Sequence, residues 1–175
     1  MPDTSPAQTI PTRGSTGEEC TPDFVYTIFI AASAEKVWNG LIDREMTKAY
    51  WGHYNESDWK QGSRWDHVRS DGSGKIDTRG RIIEIDPPRK MVWSWAFDSD
   101  ADNPAKLSIV TYELVPLGPD TKLTVIHSEL EPGSDMDKGV REGWPAVLSN
   151  LKSLLEAGKP CRMINGNKFL SLTAK

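Results

Sequence analysis

The segment Lys90–Phe97 constrains the fold more than any other stretch of the chain. Its residues alternate: Met91, Trp93, Trp95 and Phe97 fall on one side, Val92, Ser94 and Ala96 on the other. Successive side chains of a strand point to opposite faces, so this segment predicts a strand with one large aromatic face that must be covered. A cover is written further along. Trp144, Val147, Leu148, Leu151, Leu154 and Leu155 recur at helical spacing and form one apolar stripe. A sheet presenting its rings to a single helix is therefore the frame into which the other elements must fit.

Those elements follow from local chemistry. Residues 24–30 are β-branched or aromatic throughout and predict the first strand. Ser33 and Asp43 suit helix N-caps, which predicts helices over 34–41, with Val37, Trp38 and Leu41 on one face, and over 44–50, ending near Trp51 and Gly52. Strands are expected over 63–68, 77–85, 106–115 and 121–128, separated by turns at 71–74, at Asp86-Pro87-Pro88 and at 116–120. Such short connections favour hairpins and hence antiparallel pairing. Pro145 predicts that the last helix starts or kinks near Trp144, with 135–142 as a preceding turn. Asp135 and Asp137 suit a helix start, where carboxylates favour the dipole. Asn150, Lys152, Ser153 and Glu156 are assigned to the polar side of the last helix, and Gly158 and Pro160 end it.

The sum is an α+β domain over residues 23–158: a curved antiparallel sheet of about six to seven strands around a long C-terminal helix, with two short helices after the first strand. Residues 1–22 carry Pro, Thr, Ser and Gly with few apolar side chains, and are expected to form a flexible leader. Residues 159–175 form a tail that the pattern does not place.

Charge excludes some functions. The formal net charge is −4 with both signs interspersed, so no run of Lys and Arg offers a nucleic-acid surface. No apolar run approaches the roughly 20 residues of a membrane span, and no secretory signal opens the chain, so a cytoplasmic location is expected. Cys20 and Cys161 lack metal-ligand spacing, and a bridge between them is not expected in a reducing compartment. There is no Gly-rich phosphate loop, no Gly-x-Ser-x-Gly and no His-Glu-x-x-His. Asp98, Asp100 and Asp102 lack the Gly and Glu of a calcium loop and read as a solvated loop. No cofactor or metal is implied.

The inward face is predicted to hold Trp65, His67, Trp93, Trp95, Phe97, Tyr112 and His127, opposite Trp144 and Leu148 on the helix. Trp51 and Tyr54 are expected at the mouth of the space between, and His53 in a surface loop. These rings either pack solid or enclose a hollow for a small hydrophobic or aromatic ligand. His67 and His127 are the inward groups that titrate near neutrality and could serve as general bases. A pocket and a base fall short of the full set of catalytic roles, so the residues favour binding without obligatory catalysis.

Several stretches carry a family likeness: Ala34-Glu35-Lys36-Val37-Trp38, the run from Gly80 to Pro88, Trp93 to Trp95, and Gly143-Trp144 through Leu148, Leu151, Lys152 and Leu155-Glu156. Over residues 24–157 the chain resembles the START-like, helix-grip superfamily. Within it, the likeness is to bacterial stand-alone members of the family named for the activator of the ninety-kilodalton heat-shock protein's ATPase. The resemblance implies a helix standing off the sheet over a hydrophobic ligand cavity. It also implies two alternatives, cyclase- or hydrolase-like chemistry through a pocket histidine, or a chaperone-interaction module of the stress response, in either case as a monomer or homodimer. The eukaryotic co-chaperone carries an additional N-terminal domain for chaperone binding, which residues 1–22 are too short and too polar to supply.

Overall fold

The computed structural model describes residues 24–161; the expected leader, Cys20 and most of the expected tail lie outside the described residues. The element order is β1 (Phe24–Ile30), α1 (Ala34–Ile42), α2 (Arg44–Trp51), β2 (His53–Ser57), β3 (Arg64–Arg69), β4 (Ile76–Asp86), β5 (Lys90–Phe97), β6 (Ser108–Leu117), β7 (Asp120–Ser128) and α3 (Asp135–Ala157). The seven strands form one antiparallel sheet in the order β1-β7-β6-β5-β4-β3-β2. This is the α+β helix-grip architecture expected, with α3 lying along the concave face.

The caps work as the sequence implies. Asp43 Oδ1 accepts a hydrogen bond from Met46 N at 2.8 Å, Ser33 Oγ accepts a longer one from Lys36 N, and Gly52 ends α2 at φ 73°. β2 is an addition. Its sequence, His-Tyr-Asn-Glu-Ser, has no apolar alternation because its inward residues, His53 and Asn55, are buried through hydrogen bonds. His53 is thus a buried strand residue and not part of a surface loop; only 4% of it is exposed.

Two features of α3 also depart from expectation. The helix begins at Asp135 and runs through Pro145 without ending there. Ser134 Oγ accepts from Asp137 N, Asp137 Oδ2 accepts from Gly133 N, and Asp137 Oδ1 accepts from Arg141 Nε. Together these fix the first turns firmly enough to carry the helix past one missing backbone donor. Asn150, assigned above to the polar side, is fully buried. Its Nδ2 donates to Tyr50 O and its Oδ1 accepts from Cys161 N, so it ties α3 to the end of α2.

Candidate functional site

Period-two alternation and the helix stripe bring most of the nominated residues into one cluster. Trp65 on β3 meets Trp93 and Trp95 on β5 across the intervening β4, with ring centroids in the trio 4.7–6.3 Å apart. Tyr112 meets Trp93 edge-on at 5.1 Å, and Trp144 reaches down from α3 to Tyr112 and Trp95. Leu148 is buried beside them. Trp51 lies against His67, Trp95 and Trp144, so it caps the cluster from α2.

Two nominated residues are elsewhere. Tyr54 sits beneath the Arg44 guanidinium, 3.9 Å from its ring, on the strand face away from His53 and Asn55. Phe97, at the end of β5, is 36% exposed.

The hollow anticipated between sheet and helix is filled by these rings. Trp65, Trp93, Tyr112, His127 and Leu148 expose 1% of their surface or less. Trp95, Trp144 and His67 expose 4–7%, so the rings pack closely with little space between them. Sequence alternation fixes which way a side chain faces but not how far the facing layers stand apart.

The histidines are engaged in structure. Trp144 Nε1–H donates to His127 Nδ1 at 3.2 Å, and an indole nitrogen can only donate. The His127 proton is therefore on Nε2, which donates to Ser108 Oγ at 2.8 Å while Ser108 donates to Trp95 O. Burial lowers the His127 pKa from 6.5 to about 3, although Asp137 pulls the other way. His67 Nδ1–H donates to Asn55 Oδ1 at 2.7 Å, and burial, then the charge of His53, push its pKa well below 6.5. The His53 ring stacks on His67 with centroids 4.4 Å apart and bonds Asp77 Oδ2 through Nε2. His127 has both ring nitrogens engaged, so its lone pair is not free to take a proton from a bound substrate, and the Nδ1–H of His67 is committed to Asn55.

Other polar atoms in this interior have no partner. Tyr50 Oη, Tyr112 Oη and Trp93 Nε1 are fully buried and make no hydrogen bond. Burial drives both tyrosine pKa values up, and for Tyr112 the neighbouring Tyr50 adds to the effect. Each unmet group costs about 1–3 kcal/mol of desolvation. We therefore expect Tyr112→Phe to raise stability by about 1 kcal/mol, read as a higher urea midpoint at unchanged slope. A lower midpoint would mean that the hydroxyl is bonded after all.

An open cleft of about 1060 Å³ lies outside this cluster, between the α1–α2 junction and the β2–β3 hairpin. Ile42, Met46 and Trp59 give it an apolar floor, and Asp43, Glu56, Asp58, Asp66, Arg44 and Arg64 form a charged rim. Trp59 also touches the interior, with its ring 6.1 Å from that of Trp93. Its backbone is left-handed, at φ 51°, which is rare for a bulky residue. Trp59, Tyr50 and Asn55 are site-forming residues that the sequence reading does not nominate, and His53, expected in a surface loop, joins them. A tryptophan in the turn between two strands, Asp58-Trp59-Lys60, was the signal available for the first.

Comparison with known proteins fits this geometry to a family. A family model described as "Activator of Hsp90 ATPase homolog 1-like protein" matches residues 31–156. No curated protein sequence matches the chain. Among solved structures, the Aha1 dimer from Colwellia psychrerythraea superimposes with a TM-score of 0.66 at 21% identity, covering 79% of this chain and 99% of that one. Protein MLL2253 from Mesorhizobium loti gives 0.64 at 23% identity, over 78% and 98% of the two chains. A Plasmodium falciparum protein described as an HSP90 activator gives 0.61 at 23% identity, over 79% and 97%. Likeness at these identities establishes a shared fold.

Proposed function

We propose that this chain, which belongs to the Activator of Hsp90 ATPase homolog 1-like family, binds a small hydrophobic or aromatic molecule between its sheet and α3, without obligatory catalysis. One observation carries the reading: three unpartnered polar atoms, on Tyr50, Tyr112 and Trp93, inside an otherwise apolar aromatic cluster. Buried polar groups in folded proteins are almost always bonded, so a group of orphans asks for a partner that the chain itself does not supply. The closed cluster is then the ligand-free arrangement. Binding parts the rings, exchanging some ring–ring contact for ligand contact and meeting the orphaned groups. Trp95, Trp144 and Leu148 form the apolar walls, and His67 and His127 orient neighbouring side chains.

The chaperone-module alternative has weaker support. Its surface requirement is a contiguous apolar patch. Phe29 and Val115 are exposed on the outer face of the sheet, but Lys122 lies between them in register. Exposed apolar residues there are broken up by charge.

The test is native mass spectrometry and intrinsic tryptophan fluorescence against a panel of fatty acids and aromatic metabolites. We expect a saturable one-to-one adduct with at least one aromatic member and a shift in emission from the ring cluster. A panel that leaves both mass and emission unchanged would sink the reading.

A further inference from the structure

The orphaned atoms also constrain what the ligand is. Trp93 Nε1–H can only donate, and the two tyrosine hydroxyls have protons to give. An incoming molecule meets these groups best by bringing acceptors. Its charge is limited by the surroundings. Among the described residues, no Lys or Arg is buried, and the buried histidines His67 and His127 have proton-bearing nitrogens already engaged. A carboxylate taken into this interior would be desolvated without a counter-charge, which costs several kcal/mol. A cation would face a donor-only indole nitrogen.

The route in is marked by a second feature. Trp51, at the end of α2, contacts four rings: Tyr50, His67, Trp95 and Trp144. Moving it would disrupt the whole cluster. Trp59 contacts one, Trp93, and stands on the hairpin turn between β2 and β3, where displacement breaks no strand ladder. Its left-handed backbone is strained, so leaving that conformation recovers energy. Its outer side faces the cleft. From solvent inward the sequence is thus cleft, Trp59, Trp93, Tyr112, and the last two carry orphaned donors.

We propose that the ligand is an uncharged aromatic compound bearing a hydrogen-bond acceptor, and that it enters from the α1–α2/β2–β3 cleft by displacing Trp59. This rests on the binding function argued above. Trp59 acts as the door and the orphaned donors as the selector for acceptor over hydrocarbon and over anion.

Three probes of one shape separate the possibilities: 2-acetylnaphthalene, 2-ethylnaphthalene and 2-naphthoate, measured by calorimetry and stopped-flow fluorescence on the full chain. The ketone is expected to bind about tenfold tighter than the hydrocarbon, as one well-made hydrogen bond allows, and the carboxylate least. Tyr112→Phe, which keeps the ring and removes one of the three orphaned donors, is expected to fold well and should reduce that preference severalfold. Trp59→Gly, which suits the left-handed backbone, should speed ketone association several-fold while keeping the preference. Equal affinity for the two neutral probes, or tightest binding of 2-naphthoate, overturns the selector. An unchanged association rate in Trp59→Gly overturns the door. If none of the three binds while another class from the wider panel does, this inference fails and the binding function stands; if the panel is silent too, both fail.

Discussion

Between pH 6.5 and pH 3 the domain is expected to lose most of its stability, because the buried rings of His127 and His67 are neutral in the folded state. In the folded state its ring is buried and neutral, with a pKa lowered from 6.5 to about 3, first by burial. The unfolded chain binds a proton at this ring once the pH drops below about 6.5, and the folded chain does not until about 3. Stability is therefore fully present above the unfolded value and falls as the pH descends toward the folded one. At 1.36 kcal/mol per unit, the whole shift amounts to about 5 kcal/mol, comparable with the total stability of many domains.

His67 works in the same direction, since burial and the charge of His53 depress its pKa as well. Asp77 adds a loss at lower pH. Burial opposes its ionisation, but hydrogen bonds from Arg69 and His53 prevail and hold its carboxyl below the usual range, so its contribution disappears as it protonates. Urea unfolding at pH 7 and at pH 5 should show a loss of about 2 kcal/mol from His127 alone. In His127→Gln the starting stability should be lower and this pH dependence shallower. Equal stability of the parent protein at pH 7 and pH 4.5 would contradict the buried neutral ring.

How much of this was legible in the sequence depended on whether the physics was periodic. β5 and α3 could be read because large apolar residues repeat at two and at three-to-four positions, and nothing but a sheet and a helix accounts for them. Ser33 and Asp43 could be read because a short side-chain oxygen before an amphipathic run has few other uses. β2 could not. Its inward positions, His53 and Asn55, are polar and are buried because Asp77, His67 and the Leu41 carbonyl receive them, partners that lie 12 to 24 residues away in sequence or on another element. The start of α3 was obscured by Pro145, since the Ser134–Asp137 cap that outweighs it acts about two to three turns upstream. The filled interior was illegible for a different reason. Facing is a property of one strand, whereas the gap between layers depends on how every ring chooses its rotamer.

Gly80 supplies the sharpest single-residue test, because what a side chain there would meet is the main chain of Ser94. It lies opposite Trp65 in the β3–β4 register, and β5 passes so closely that a Cβ at position 80 would sit 1.9 Å from Ser94 O and 2.6 Å from its carbonyl carbon. No rotamer can relieve a clash with a main-chain carbonyl. The same close approach lets Trp65 Nε1–H donate to Ser94 O at 2.9 Å and Arg81 N donate to Ser94 Oγ at 2.9 Å. Gly80→Ala would therefore push β5 away, unseat the central tryptophan and break two hydrogen bonds together. We expect a loss of about 4 kcal/mol or more, in the range reserved for a few severe mechanisms, and seen as aggregation on expression or a midpoint shifted far down in urea. Gly40→Ala is the matched control. There a Cβ would meet the tip of the Leu151 side chain at 2.9 Å, which can turn aside, and alanine's helix propensity returns about 1 kcal/mol. That variant is expected to fold with near-parental stability. If Gly80→Ala behaved like Gly40→Ala, β5 could not run where it does, and the floor beneath Trp65, Trp93 and Trp95 would have to be redrawn.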